Sequence, residues 1–147
     1  MTESDIMDKI LKELAKITVL FLIGGLAYCG IEILWRGHTH WTMGVLGGFC
    51  FIIIGGLNNY IHWEMKLWKQ AVTGSLVVTS CEFVTGIILN LFLGLHIWDY
   101  SNIPFNLLGQ ICPPFTILWF FLSIICIFVD DWLRYILFHE EKPKYYF

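Results

Sequence analysis

Apolar positions along this chain fall into long blocks, at residues 17–35, 42–61, 71–95 and 111–129, with polar residues concentrated between them. About 20 consecutive apolar residues make a helix long enough to cross a hydrocarbon core of about 30 Å. The first three blocks reach that length with at most one charge each. The fourth leaves roughly 15 residues of clean helix after Pro114, or about 22 Å. Residues 107–112 would complete it as a partly re-entrant approach. The pattern predicts an all-α polytopic membrane protein: four transmembrane helices in a single membrane domain covering 1–147.

The flanks refine this picture. In residues 5–16, Ile6, Met7, Ile10, Leu11 and Leu14 recur at helical spacing with charges on the other face. They predict a short amphipathic N-terminal helix, capped by Thr2 and Asp5. It would lie on the membrane surface or continue the first span. No small-residue cleavage site follows it, so the first span is read as retained. Residues 130–141 form a second amphipathic candidate within a tail at 130–147.

Lys9, Lys12, Lys16, Lys66, Lys69, Arg134, Lys142 and Lys144 fall on one side of the expected membrane, and Arg36 alone on the other. Basic residues accumulate in cytoplasmic loops, so both termini are expected in the cytoplasm (N-in/C-in). Outer segments then lie near 36–41 and 96–110. Trp35, Trp41, Trp98 and Tyr100 at the outer ends, with Trp63, Trp68, Trp132 and Tyr135 at the inner ends, suit interface anchors.

Small and polar residues form stripes within the blocks. Ser75, Thr79, Glu82, Gly86 and Asn90 share one helix face in the third. Gly25, Tyr28, Glu32 and Arg36 do so in the first, and Gly44, Gly48, Phe51, Gly55 and Asn59 in the second. The Gly44–Gly48 pair has the G-x-x-x-G spacing that lets helix backbones approach. Gly44, Gly48, Gly55 and Gly86 are therefore expected packing positions. A lined pathway is the alternative for each stripe. Residues 45–50 (VLGGFC) resemble 107–112 (LLGQIC), which suggests a two-helix internal repeat about an axis along the membrane normal.

Composition supports the membrane reading: 57% of residues are hydrophobic and 14% charged, against about 25% charged in a soluble domain. The five cysteines lie in or beside apolar blocks without C-x-x-C spacing and read as small buried hydrophobes. There is no phosphate-binding loop, dinucleotide fingerprint, H-E-x-x-H or nucleophile elbow. No ATPase activity of its own, no cofactor and no nucleic-acid partner are expected.

Glu82 is the most informative residue. An ionised carboxylate near mid-bilayer is costly, so it must face the protein interior and be paired, hydrogen-bonded or protonated. It is a candidate ligand or proton site, with Asn90 on its face; the plainer reading is a structural carboxyl tying helices together. Glu32 lies one turn from Arg36, and an i,i+4 ion pair competes with a site shared with Glu82. His38 and His40 flank Thr39 in a loop read as solvated, and no metal site is expected. The segment 98–115, rich in aromatic, polar and turn-forming residues, is a candidate plug or lid, with an aromatic-anchored interfacial loop as the alternative.

The run 81–86 (CEFVTG), then Trp98-Asp-Tyr-Ser, Pro104, Asn106, Gly109, Ile111, Cys112, Phe115 and Trp119, resembles the bacterial membrane proteins of the "Putative ABC-transporter type IV" or CmpB family. Thr116 departs from the more frequent serine. The resemblance spans residues 22–128 and adds Asp99, Tyr100, Asn106 and Cys112 to Glu82 as candidate functional positions. It implies a small permease-like component of a transport system in the bacterial plasma membrane. Such a component would act as a homo-oligomer, in the simplest case a dimer, with a separate ATPase subunit. A membrane scaffold or sensor binding partner helices or lipid is the second reading. An intramembrane enzyme using Glu82 with a cysteine or histidine is the third.

Overall fold

A computed structural model describes residues 2–57 and 65–147. Four α-helices organise them: α1 (Glu3–Arg36), α2 (Trp41–Gly55), α3 (Leu67–Gly86) and α4 (Pro113–Phe138). α3 runs on into a wider π-helical turn at Ile87–Phe92. Three of these helices, Glu3–Arg36, Leu67–Phe92 and Pro113–Phe138, are long and apolar enough to cross a membrane. That is the pattern of a multi-pass membrane protein. α2 is apolar but has 15 residues, about 22 Å. The end of its expected span (58–61), with Asn59 and the expected anchor Trp63, lies outside the described residues.

Two later boundaries differ from the sequence reading. The N-terminal amphipathic segment takes the second of its two expected placements and continues the first apolar block. It forms the first turns of α1, closed by the expected capping box, in which Thr2 and Asp5 each accept from the other's backbone N–H. The third helix begins at Leu67 and ends at Phe92, not at 71 and 95, because Gly94 turns the chain away at φ +64°. The fourth is no short span: its 26 residues extend about 39 Å, with Pro113 and Pro114 in the first turn, where a missing N–H is tolerated. Residues 130–138 are its last turns, because Asp130 and Arg134 pair with each other on one face. Residues 107–111 close instead into a turn with an isolated Leu107–Ile111 bridge.

The internal repeat fails at its motif. Leu46 and Gly47 lie within α2, whereas their counterparts Leu108 and Gly109 have φ of +52° and +69° in a loop. The two copies are not structural equivalents.

α1 packs on α2 through small residues. A Cβ added to Gly25 would lie 2.5 Å from the Gly44 carbonyl oxygen, and one added to Gly48 would lie 2.7 Å from the Phe21 carbonyl oxygen. α3 pairs with α4, and α2 touches both. Cys50 and Ile54 of α2 meet Val78 of α3 and Trp119 and Ile127 of α4 in the core. At the terminal end, Lys16 bonds Glu140 at 2.7 Å, the Leu67 N–H donates to the Tyr146 carbonyl at 2.7 Å, and Tyr145 packs edge-on to Phe128. The C-terminal segment therefore meets α1 at Lys16 and the start of α3 at Leu67.

Close approach at Gly25 has a measurable sign. Gly25→Ala should destabilise the protein by about 1–3 kcal/mol, because the backbone opposite cannot yield. Gly30 has open space around it, so Gly30→Ala should be neutral or stabilising by up to about 1 kcal/mol. Thermal unfolding midpoints in detergent compare the pair; equal shifts would contradict this packing.

Candidate functional site

The polar stripe of α3 faces α4 and the segment 96–112 along its whole length. Ser75 Oγ donates to the Thr116 carbonyl at 2.6 Å, and Thr79 Oγ1 donates to Thr116 Oγ1 at 3.2 Å. Gly86 leaves room for Gln110 and Trp98. In the π-helical turn, Asn90 Oδ1 accepts from the Ile97 N–H at 2.7 Å. Its Nδ2 donates to the Trp98 carbonyl at 3.1 Å and to Gln110 Oε1 at 2.8 Å. Asn90 thus ties the end of α3 to the loop that follows it.

Glu82 lies at the centre of this seam and is 2% exposed. It is ten residues from the end of the helix at Phe92, about 15 Å along the axis. Oε1 accepts from Tyr100 Oη at 2.9 Å, and Oε2 accepts from Trp119 Nε1 at 2.9 Å. Two neutral donors from different segments therefore grip one carboxyl. Tyr100 is stacked on Phe115 with centroids 4.5 Å apart. Burial, reinforced by the Glu82 carboxylate, holds the Tyr100 phenol well above its ordinary pKa. Trp119 is stacked against Tyr28 of α1 at 6.0 Å.

The segment 96–112 is built to present Tyr100. Its main chain is pinned where the Tyr100 N–H donates to the Gly109 carbonyl at 2.8 Å, and Trp98 Nε1 donates to the Gln110 carbonyl at 3.0 Å. Asn106 closes the turn: Nδ2 donates to the Ile103 carbonyl at 2.8 Å and Oδ1 accepts from the Gly109 N–H at 2.9 Å. Asp99 points away from Glu82 into an exposed turn, where the Ser101 hydroxyl and backbone N–H hold its carboxyl below the usual range. Cys112 is buried at the N-cap of α4. Of the candidate positions, Tyr100 touches Glu82, Asn90 and Asn106 shape the loop, and Asp99 stands apart.

Glu32 does not join this centre. It pairs with Arg36, accepts from Thr39 Oγ1 at 2.5 Å, and lies in a polar knot with Arg36 donating to the Ile97 carbonyl at 3.2 Å. His40 caps α2 beside Thr42, and His38 bonds the Arg36 carbonyl. Among the described residues no group of three or more His, Cys, Asp or Glu is placed to hold a metal.

Beside Glu82 is a cavity of about 170 Å³. Its walls are almost wholly apolar, with Tyr28, Cys50, Val78 and Trp119 around the carboxyl and Phe51 and Ile54 further along. α1 and α4 do not pack along their length. The cavity opens between them, where the exposed residues Ala27 and Ile31 of α1 and Ile125 and Val129 of α4 flank its mouth.

Residues 19–143 match the model of the "Putative ABC-transporter type IV" family. The chain belongs to that family. No solved structure matches it.

In this member of the family, the loop motif around Trp98, Tyr100, Asn106 and Gly109 has a structural meaning: it is the scaffold that delivers one phenol to one buried carboxyl. Trp119, Tyr28 and Gln110 are the partners that the sequence reading did not assign to the site. Trp119 carried a usable signal. Tryptophan prefers the membrane interface, and a mid-helix indole N–H needs an acceptor. Tyr100→Phe should leave the stack on Phe115 in place and remove one of the two bonds to Glu82, with a loss of about 1–3 kcal/mol. An unfolding midpoint unchanged from wild type would show that the bond contributes nothing.

Proposed function

We propose that the protein is a permease-like membrane component of a transport system, with no ATPase activity of its own and no enzymatic chemistry. The carrying observation is Glu82: a buried carboxyl held by two neutral donors on the wall of a cavity between helices. A plain anchor has no need of a costly carboxyl at that depth. Family membership supports the transport reading. The eight-to-one distribution of basic residues supports four spans with both termini in the cytoplasm, in a bacterial plasma membrane. Four spans enclose little volume, so the working unit is a homo-oligomer, in the simplest form a dimer, energised by an ATPase on a separate chain.

The close Gly25–Gly44 and Gly48–Phe21 contacts favour a second reading, a scaffold whose stripes serve packing alone. Water access separates the two. In a chain whose other cysteines are replaced, Cys50 and a cysteine at Val78, both on the cavity wall, are exposed one at a time to membrane-impermeant thiol reagents from either side of sealed vesicles. A permease should be labelled at both positions, each from at least one aqueous side, and a scaffold at neither. Absence of labelling in the oligomer, with and without its ATPase, overturns the permease reading.

A further inference from the structure

We propose that the cleft between α1 and α4 binds a membrane-soluble organic ammonium ion of about one ring in size, its charge at Glu82 and its apolar part along the cleft. This deepens the permease reading by naming the class of substrate, and it rests on that reading only in calling the occupant a substrate.

Charge comes first. Both Glu82 oxygens have a hydrogen-bond donor, but Tyr100 Oη and Trp119 Nε1 bring no net charge. Among the described residues no basic side chain bonds this carboxylate. Arg36 is held by Glu32 and by the Ile97 carbonyl. A buried carboxylate without a countercharge is the state that a cation stabilises most, since desolvation strengthens the attraction. Each oxygen also has acceptor capacity beyond its one neutral donor.

The surroundings select the kind of cation. Tyr28 and Trp119 place two aromatic rings, 6.0 Å apart and 25° from parallel, against the cavity beside the carboxyl. A free aromatic face attracts an ammonium group by about 0.5–2 kcal/mol, and with these rings stacked on each other one face at most meets the ion. The remaining wall is nearly all hydrocarbon and thiol, with few oxygens to replace the hydration shell of a small inorganic ion, which prefers oxygen ligands. The volume of about 170 Å³ is close to the ~150 Å³ of an apolar cavity that admits benzene. The mouth lies between exposed apolar residues of α1 and α4, so the route in is from the bilayer, and an occupant must dissolve there. Carboxyl, aromatic pair, size and entry route agree on one chemistry: a hydrophobic monocation.

Benzylammonium is a suitable probe, and ethylbenzene is its neutral isostere. Binding of each is measured by calorimetry to the full chain in lipid nanodiscs, with empty nanodiscs subtracted. The wild type should bind the cation more tightly than the isostere. Glu82→Gln should weaken the cation about tenfold or more and leave the isostere unchanged. Ala27→Leu, which narrows the mouth without touching Glu82, should weaken both and stands in if Glu82→Gln does not fold. The proposal is overturned if the isostere binds the wild type as tightly as the cation, as a lipid-filled apolar cleft predicts. It is also overturned if the cation does not bind, if a folded Glu82→Gln chain binds it like the wild type, or, where that variant does not fold, if Ala27→Leu does. A chain that binds the cation but is not labelled from water keeps this site and loses the permease reading; labelling without cation binding does the reverse.

Discussion

Replacing Arg134 with alanine is expected to destabilise the protein by about 3–5 kcal/mol, the range for breaking a buried ion pair from one side. Asp130 is fully buried, and its Oδ2 accepts from Arg134 Nε at 2.5 Å. Its Oδ1 has no hydrogen-bond partner among the described residues. Gly55 of α2 lies directly against the carboxyl, where any Cβ would collide with it. The companion variant is Asp130→Leu with Arg134→Met, which removes both charges and should recover most of the loss, since well-packed apolar pairs replace buried ion pairs at little cost. Unfolding in detergent measures both. An Arg134→Ala protein within about 1 kcal/mol of wild type would mean that the carboxyl is solvated or protonated without cost.

Trp119→Ala is expected to cost a similar amount, about 3–5 kcal/mol, as a large aromatic ring is deleted from a core. Three contacts go with it. The indole is 8% exposed, belongs to the central cluster of α2, α3 and α4, stacks on Tyr28, and donates to Glu82 Oε2. Trp119→Phe separates the polar part from the packing: it keeps a ring and removes the N–H, so the loss should fall to about 1–3 kcal/mol. If the two variants are equally destabilised, the hydrogen bond to Glu82 dominates. If Trp119→Phe is unchanged from wild type, the ring does all the stabilising.

Much of this was legible because the signals are local. The polar stripe of α3 was readable from spacing alone, since residues three and four apart share a helix face. All five of its members do face the protein. The Glu32–Arg36 pair and the Thr2–Asp5 cap were readable for the same reason. Gly44, Gly48, Gly55 and Gly86 were singled out by spacing, but the groups that lie against them were not readable, because Asp130 is far from Gly55 in sequence and Gln110 is on a loop. The length of α4 was misread because Asp130, Asp131 and Arg134 look like the polar end of a helix; their burial, with Asp130 against Gly55 of α2, is a tertiary fact. The repeat was misread because Leu107–Cys112 has the letters of a helix and the left-handed backbone of a turn at Leu108 and Gly109. Asp99 and Asn106 entered with the family motif, and geometry gives them work within the loop.

Pairing α1 with α2 and α3 with α4 makes two hairpins of neighbouring helices, and this bears on how the chain is made. Each strongly polar buried group finds its partner inside its own hairpin: Glu32 with Arg36 and Thr39 in the first, Glu82 with Tyr100 and Trp119, and Asp130 with Arg134, in the second. A hairpin leaving the ribosome and entering the bilayer can therefore give each buried carboxyl its hydrogen bonds before the other half arrives. Only apolar surface and the knots at the two ends are left for the meeting of the halves, so insertion need not wait for assembly.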